Sequence, residues 1–192
     1  MLVSGSTFIE FDDVKVPVEN LLGKENQGFK IVMSNFNHER LWLGITALRM
    51  ARVCIEDAYS HATTRKTFGQ PLYSNTVIRA KFTDMGRAIE TTHALIENLV
   101  YHSSTVGPEQ REQDLAAWYA LVKVQCGRTL EKVNREAQQI LGGLGYSRGG
   151  RGGRIEQISR DLRVLVVGGG SDEILTDLVA RQMDAKAKRA KL

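Results

Sequence analysis

The chain has 192 residues, 42% hydrophobic and 25% charged, enough for the core of one ordinary domain and too few for two. No stretch approaches the length of a membrane span, and nothing at the N-terminus reads as a signal peptide. The formal charge of +4 is concentrated in residues 181–192, and the remainder is balanced, so a pI near 9.1 gives no basic surface for nucleic acid.

Residues 6–11, Ser-Thr-Phe-Ile-Glu-Phe, alternate polar and apolar positions before Asp12-Asp13 and Pro17, which predicts one short N-terminal strand and a turn. One strand makes no sheet, so its partners must lie outside this chain or it must dock on helices. From Asn37, a residue suited to cap a helix, Leu41, Ile45, Leu48, Ile55 and Tyr59 keep helical spacing until Phe68-Gly69-Gln70-Pro71. A second helix from Ser74 puts Ile78, Phe82, Met85, Ile89, Ile96 and Leu99 on one face and ends in the Ser103–Pro108 loop. A third follows Pro108, with Leu115, Trp118, Val122, Cys126, Leu130, Val133, Ala137 and Ile140 in its stripe, and stops at Gly142-Gly143. Two shorter helices are expected over residues 154–166 and from Ser171 to about Lys188, the last with Asp172 and Glu173 in its first turn. Ten of the 18 glycines fall between Gly142 and Gly170, which marks a passage separate from the helical body. Three helices of roughly 28 residues or more would each exceed about 40 Å in length. The expected fold is therefore all-α, an antiparallel up-down-up-down four-helix bundle.

Three places carry candidate chemistry. Phe36-Asn37-His38-Glu39-Arg40 puts a carboxylate beside an arginine in what this pattern makes a first turn, where Glu39 would also suit the helix dipole. Arg65-Lys66-Thr67-Phe68-Gly69-Gln70 is either a cationic helix stop or an anion site with an aromatic face. The glycine passage runs from Gln139-Ile-Leu-Gly142-Gly143-Leu-Gly145-Tyr146 to Gly168-Gly-Gly170-Ser171-Asp-Glu173. Its glycines follow a helix rather than a strand, which excludes a Rossmann βαβ unit. What remains is bare backbone N–H at a helix start, able to hold a negatively polarised atom. Cys54 and Cys126 read as core thiols, Trp42 and Trp118 as core aromatics, and His38, His61, His93 and His102 lack metal-ligand spacing.

Together these segments resemble the acyl-CoA dehydrogenase family, in order along essentially the whole chain and about the last half of the family. Phe11-Asp-Asp-Val-Lys-Val-Pro17 with Leu21-Leu-Gly23 and Gly28 resembles the exit from the middle β-domain, which gives an expected division into residues 1–25 and a helical domain, 26–192. Arg65–Gly69, Gln139–Tyr146, Arg160-Asp161 and Gly169–Ile174 resemble its C-terminal domain. The resemblance implies FAD as cofactor, an acyl-CoA as substrate, and a dimer or tetramer. Arg65, Thr67, Phe68, Gln139 and Gly143 would contact FAD held mainly by the neighbouring subunit, and Ser171 and Glu173 would lie near the FAD of their own. Most relatives carry the catalytic base where this chain has Gly169. A minority, including isovaleryl-CoA and long-chain acyl-CoA dehydrogenases, carry it at a position matching Glu39, which makes Glu39 the expected base, Arg40 its neighbour or a substrate contact, and Glu173 a rival.

The family's N-terminal helical domain and nearly all of its β-domain have no counterpart in this sequence, so a non-catalytic assembly or regulatory module, or a truncated product, is the alternative expectation. The C-terminal Ala190-Lys191-Leu192 is a conservative variant of the peroxisomal S-K-L address. In that compartment oxygen, rather than an electron-transfer flavoprotein, would be the electron acceptor. Otherwise a cytoplasmic or mitochondrial location is expected.

Overall fold

A computed structural model describes residue 5 and residues 7–189, so Ser6 and the Ala190–Leu192 tripeptide lie outside the described residues. Five helices account for most of the chain: α1 (Gly28–Thr64), α2 (Thr76–Thr105), α3 (Pro108–Leu141), α4 (Gly153–Val167) and α5 (Asp172–Arg189). Between α1 and α2, the two-residue strands β1 (Lys66–Thr67) and β2 (Gln70–Pro71) pair antiparallel in a tight hairpin. A 3-10 turn over Gly142–Tyr146 and another over Gly150–Gly152 connect α3 to α4.

The helices alternate in direction. Arg52 pairs with Glu90 and Tyr59 meets Phe82 between α1 and α2, Thr92 pairs with Thr129 and Lys81 with Glu136 between α2 and α3, and Glu131 pairs with Arg163 and Asn134 with Ile155 between α3 and α4, so each register descends. The expected up-down-up-down bundle is therefore present. Within it the parallel helices α1 and α3 make the most extensive contact of any pair. The cause is the size of the side chains between them. Gly44, Ala47, Ala51, Cys54, Ala58 and Ala62 recur on α1 at spacings of three or four and are all buried, and Gly44 backs directly onto Cys126 and Val122. Small residues let two helix axes approach closely where a leucine stripe would hold them apart.

This corrects the stripe read on the first helix. Leu48 is buried, but Ile45 and Tyr59 are about half exposed, and the buried seam consists of small residues that hydrophobic spacing underweights. The start of that helix is also earlier than expected. Asn37 does not cap it, because the Asn37 side chain accepts from Arg40 Nη1 at 3.0 Å and the helix runs on from Gly28. Glu39 accordingly lies about three turns inside α1 rather than in its first turn. The predicted N-terminal strand is not formed: among the described residues, 7–11 are exposed, belong to no helix or strand and have no sheet partner.

The remaining elements begin and end within a few residues of expectation. Asn75 caps α2, its side chain accepting from Val77 N at 2.9 Å, and α3 has Pro108 at its start and Gly142, at φ 59°, at its end. The α3 stripe is the spine of the core, with Val122, Cys126, Leu130, Val133 and Ala137 inaccessible to solvent. A smaller cluster of Ala120, Val124 and Leu175 seats α5 on another face of α3. Leu130→Ala should therefore lower stability by about 2–5 kcal/mol, read as a lower urea midpoint with unchanged slope.

Candidate functional site

The candidate residues separate onto two ends of the bundle. Gly168–Gly170 breaks the path from α4 to α5, and two buried cations from different helices hold that bend. Arg40 on α1, 7% exposed, donates from Nε to Gly169 O at 3.0 Å. Lys123 on α3, 1% exposed, donates to Gly170 O at 2.7 Å and to Val166 O. Burial lowers the pKa of both groups; for Lys123 the carboxylates of Asp172 and Glu173 act in the opposite direction.

Gly169 has φ +70°, and a Cβ there would stand 3.1 Å from Leu43 Cδ1 and 3.4 Å from Arg40 Cγ. A side chain at this position would adopt a strained backbone and would need the Leu43 side chain to give by a few tenths of an ångström. Glu39 lies one turn before Leu43 and so shares the side of α1 that meets the bend. It is exposed, and Oε1 accepts from Asn35 Nδ2 at 2.7 Å. Ser171 and Glu173 start α5. The Glu173 carboxylate is held below its usual range by its own backbone N–H and by the Ser171 hydroxyl, and the Asp172 carboxylate accepts from Arg128 Nε at 3.0 Å.

The other end is built on the hairpin. Phe68 and Gly69 both have positive φ, 51° and 79°, the combination of a type I′ turn. The turn throws the Phe68 ring fully into solvent. A buried phenylalanine would gain about 1.5–3 kcal/mol that this one forgoes, so its ring is an available apolar face. Arg65 and Thr67 frame it, the first exposed and the second half-buried. Arg151, from the turn before α4, donates to Thr64 Oγ1 at 2.9 Å. Both guanidiniums act on the buried His61, whose pKa is lowered by burial and then by Arg65 and Arg151. Gln139, in the last turn of α3, and Gly143, just beyond it, are exposed at that helix's C-terminal end. Cations, an aromatic face and open glycine backbone suit an anionic, aromatic ligand such as a dinucleotide.

The 25 residues of α1 between Glu39 and Thr64 place the two groups about 38 Å apart along the helix. The structure brings Arg40, Gly169 and the start of α5 together, and separately Arg65, Thr67 and Phe68, but it does not unite the two sets. An open cleft of about 440 Å³ between α1 and α2, beside the packed rings of Tyr59, Tyr73 and Phe82, contains none of the candidate residues. Cys54 and Cys126 are core thiols, pushed by burial up to about 11 and about 12. Trp118 packs against the core, but Trp42 is 63% exposed, a correction to its reading as core. No group of residues suited to a metal ion occurs among the described residues.

Two residues of these sites escaped the sequence. Lys123 is flanked by Val122 and Val124, and a lone lysine in so apolar a stretch was the available signal. Arg151 lies in Gly149-Gly-Arg-Gly-Gly153, where only the fold brings it beside Arg65.

Known proteins resemble this chain over nearly its whole length. The family model described as acyl-CoA dehydrogenase, C-terminal domain, matches residues 26–184. An acyl-CoA dehydrogenase of Alternaria alternata is 46% identical over 189 residues, covering 97% of this chain and 44% of that protein. One from Emericella nidulans is 37% identical, covering 95% and 42%. Among solved structures, a probable acyl-CoA dehydrogenase from Mycobacterium abscessus superposes with a TM-score of 0.80 at 34% identity, covering 90% of this chain and 44% of that one. The chain thus spans under half the length of these relatives.

The bend gives a direct check of the geometry at the first end. Gly169→Ala should cost about 1–3 kcal/mol, because a Cβ is placed both at positive φ and against Leu43. Thermal unfolding measures it, with Gly28→Ala, a site with open space around it, as the control.

Proposed function

The chain belongs to the acyl-CoA dehydrogenase family through its C-terminal domain, and from that premise we propose that it serves the α,β-dehydrogenation of an acyl-CoA thioester. The family is FAD-dependent in general. Residues 1–25 are then the end of the middle domain, and 26–192 the helical domain. The observation that carries the proposal is the contact of Arg40 with the Gly169 carbonyl. It joins the helix bearing Glu39 to a bend where a glycine at positive φ stands in place of the carboxylate most of the family carries there.

The reaction needs one carboxylate to take the acyl α-proton and donors to steady the thioester carbonyl. Glu39 takes that proton, with Asn35 orienting one of its oxygens. Glu173 is the weaker base, because its charge is already stabilised by its own amide and the Ser171 hydroxyl. Arg40 neighbours the base and the acyl-CoA while its Nε and Nη1 hold Gly169 and Asn37. When bound, FAD supplies the acceptor for the β-hydrogen as hydride.

The donor set at the hairpin end fits the other part of the cofactor. Arg65 would pair with its pyrophosphate, and Thr67, Phe68, Gln139 and Gly143 would complete the contacts with its pyrophosphate and adenosine end. Ser171 and Glu173 belong to the flavin side. The two ends lie about 38 Å apart along α1, and the family resemblance assigns them to the FAD of different subunits. Each chain therefore contacts two, and a homo-oligomer is part of the proposal. Electrons leave to an electron-transfer flavoprotein or to oxygen.

Anaerobic mixing of the flavin-loaded protein with an acyl-CoA tests this. Substrate-dependent bleaching of the flavin is expected, and Glu39→Gln should abolish it while retaining the flavin. Unchanged bleaching in that variant would exclude Glu39 as the base. For location, we propose the peroxisome for a eukaryotic protein, on the C-terminal Ala190-Lys191-Leu192, and otherwise the cytoplasm or mitochondrion. Fused to a reporter in a eukaryotic cell, the last residues should give punctate fluorescence that disappears when Leu192 is deleted; a diffuse signal from the intact tail rules the address out.

A further inference from the structure

We propose that Lys123 is a positioning residue for the first turn of α5: its buried ammonium, bonded to the carbonyls of Val166 and Gly170, fixes the bend from which Ser171 and Glu173 project. The clamp stands on geometry alone, and only its link to flavin rests on the function proposed above.

The stretch of α3 around Lys123 is otherwise apolar. Ala120, Val122 and Val124 are all buried, and an aliphatic residue at 123 would satisfy the pattern. An ammonium is costly to bury unless its protons find acceptors, so its presence calls for a compensating set of bonds. That set is the end of α4. The last carbonyls of a helix lack intrahelical partners and carry partial negative charge. Here Gly168 N satisfies Val164 O at 2.8 Å and Gly170 N approaches Val167 O at 3.3 Å, but the last turn of α4 contains no basic residue of its own. Lys123 supplies the cation from another helix.

The second bond acts on α5. Gly170 O belongs to the peptide unit that leads into Ser171, so holding it sets where α5 starts. Ser171 O then accepts from Leu175 N at 3.0 Å, and Leu175 is fully buried against α3. Asp172 and Glu173 provide counter-charge to the ammonium, and Arg40, which faces it with like charge, takes the intervening Gly169 O. Consecutive residues of the bend are thus held by different helices, with Lys123 responsible for the residue nearest α5.

Amide hydrogen exchange on the intact chain tests the proposal. Lys123→Met, which keeps the length and removes the charge, should speed exchange at Gly168, Gly170 and Leu175 by about tenfold or more and leave Ile96 and Leu130 protected. Unchanged exchange at the bend, or equal loss in every helix, overturns it. Should the Met variant fail to fold, Lys123→Gln is measured in the same way. Flavin binding supplies a second readout. Ser171→Ala should weaken FAD binding in the parent protein and have little further effect in the Lys123→Met background, whereas additive effects overturn the link to the site. A parent chain that takes up no FAD refutes the proposed function, and the exchange measurement still decides whether Lys123 holds the bend.

Discussion

The structure depends on two buried cations set against one glycine bend. Arg40 and Lys123 lie on different helices, and each donates to backbone carbonyls of the Val166–Gly170 stretch, Arg40 with one bond and Lys123 with two. Burying either charge alone would be strongly unfavourable, and breaking either set of bonds would leave an unsatisfied charge in the interior. The bend therefore cannot drift without cost. It fixes the end of α4, the start of α5 and the adjoining part of α1 as a single unit.

That arrangement is possible only because α1 and α3 are close parallel neighbours. Gly44 packs directly against Cys126 and Val122, one turn along α1 from Arg40 and beside Lys123 on α3. Small residues bring the axes together, the axes bring the two cations level, and the cations reach the same carbonyls. The length of α1 has a second consequence. By carrying Glu39 and the Arg65 hairpin on one rigid element, it keeps the two candidate ends far apart and makes a ligand shared between chains the natural way to use both.

Local rules were sufficient wherever a boundary had its own chemical signal. Asn75 beside Val77, Pro108 at the start of α3 and Gly142 at its end are each decided by a side chain or a φ angle within a few residues. They failed where a residue had two possible partners. Asn37 is a good cap by type, yet its oxygen serves Arg40, because Arg40 is drawn inward by Gly169, 129 residues away in sequence. The N-terminal segment has strand alternation but nothing to pair with among the described residues, and pairing is what makes a strand.

The amino-acid sequence by itself determined the helical class, the stripes of α2 and α3, the order of motifs that identifies the family, and most of the candidate residues, since these follow from periodicity and residue type. Only the tertiary structure decided the small-residue seam between α1 and α3, the burial of Lys123, the company of Arg65 with Arg151, and the crowding of position 169 against Leu43. Each of these depends on which helices become neighbours and how closely they approach. That distance is set by packing across the whole bundle and by no local window of the chain.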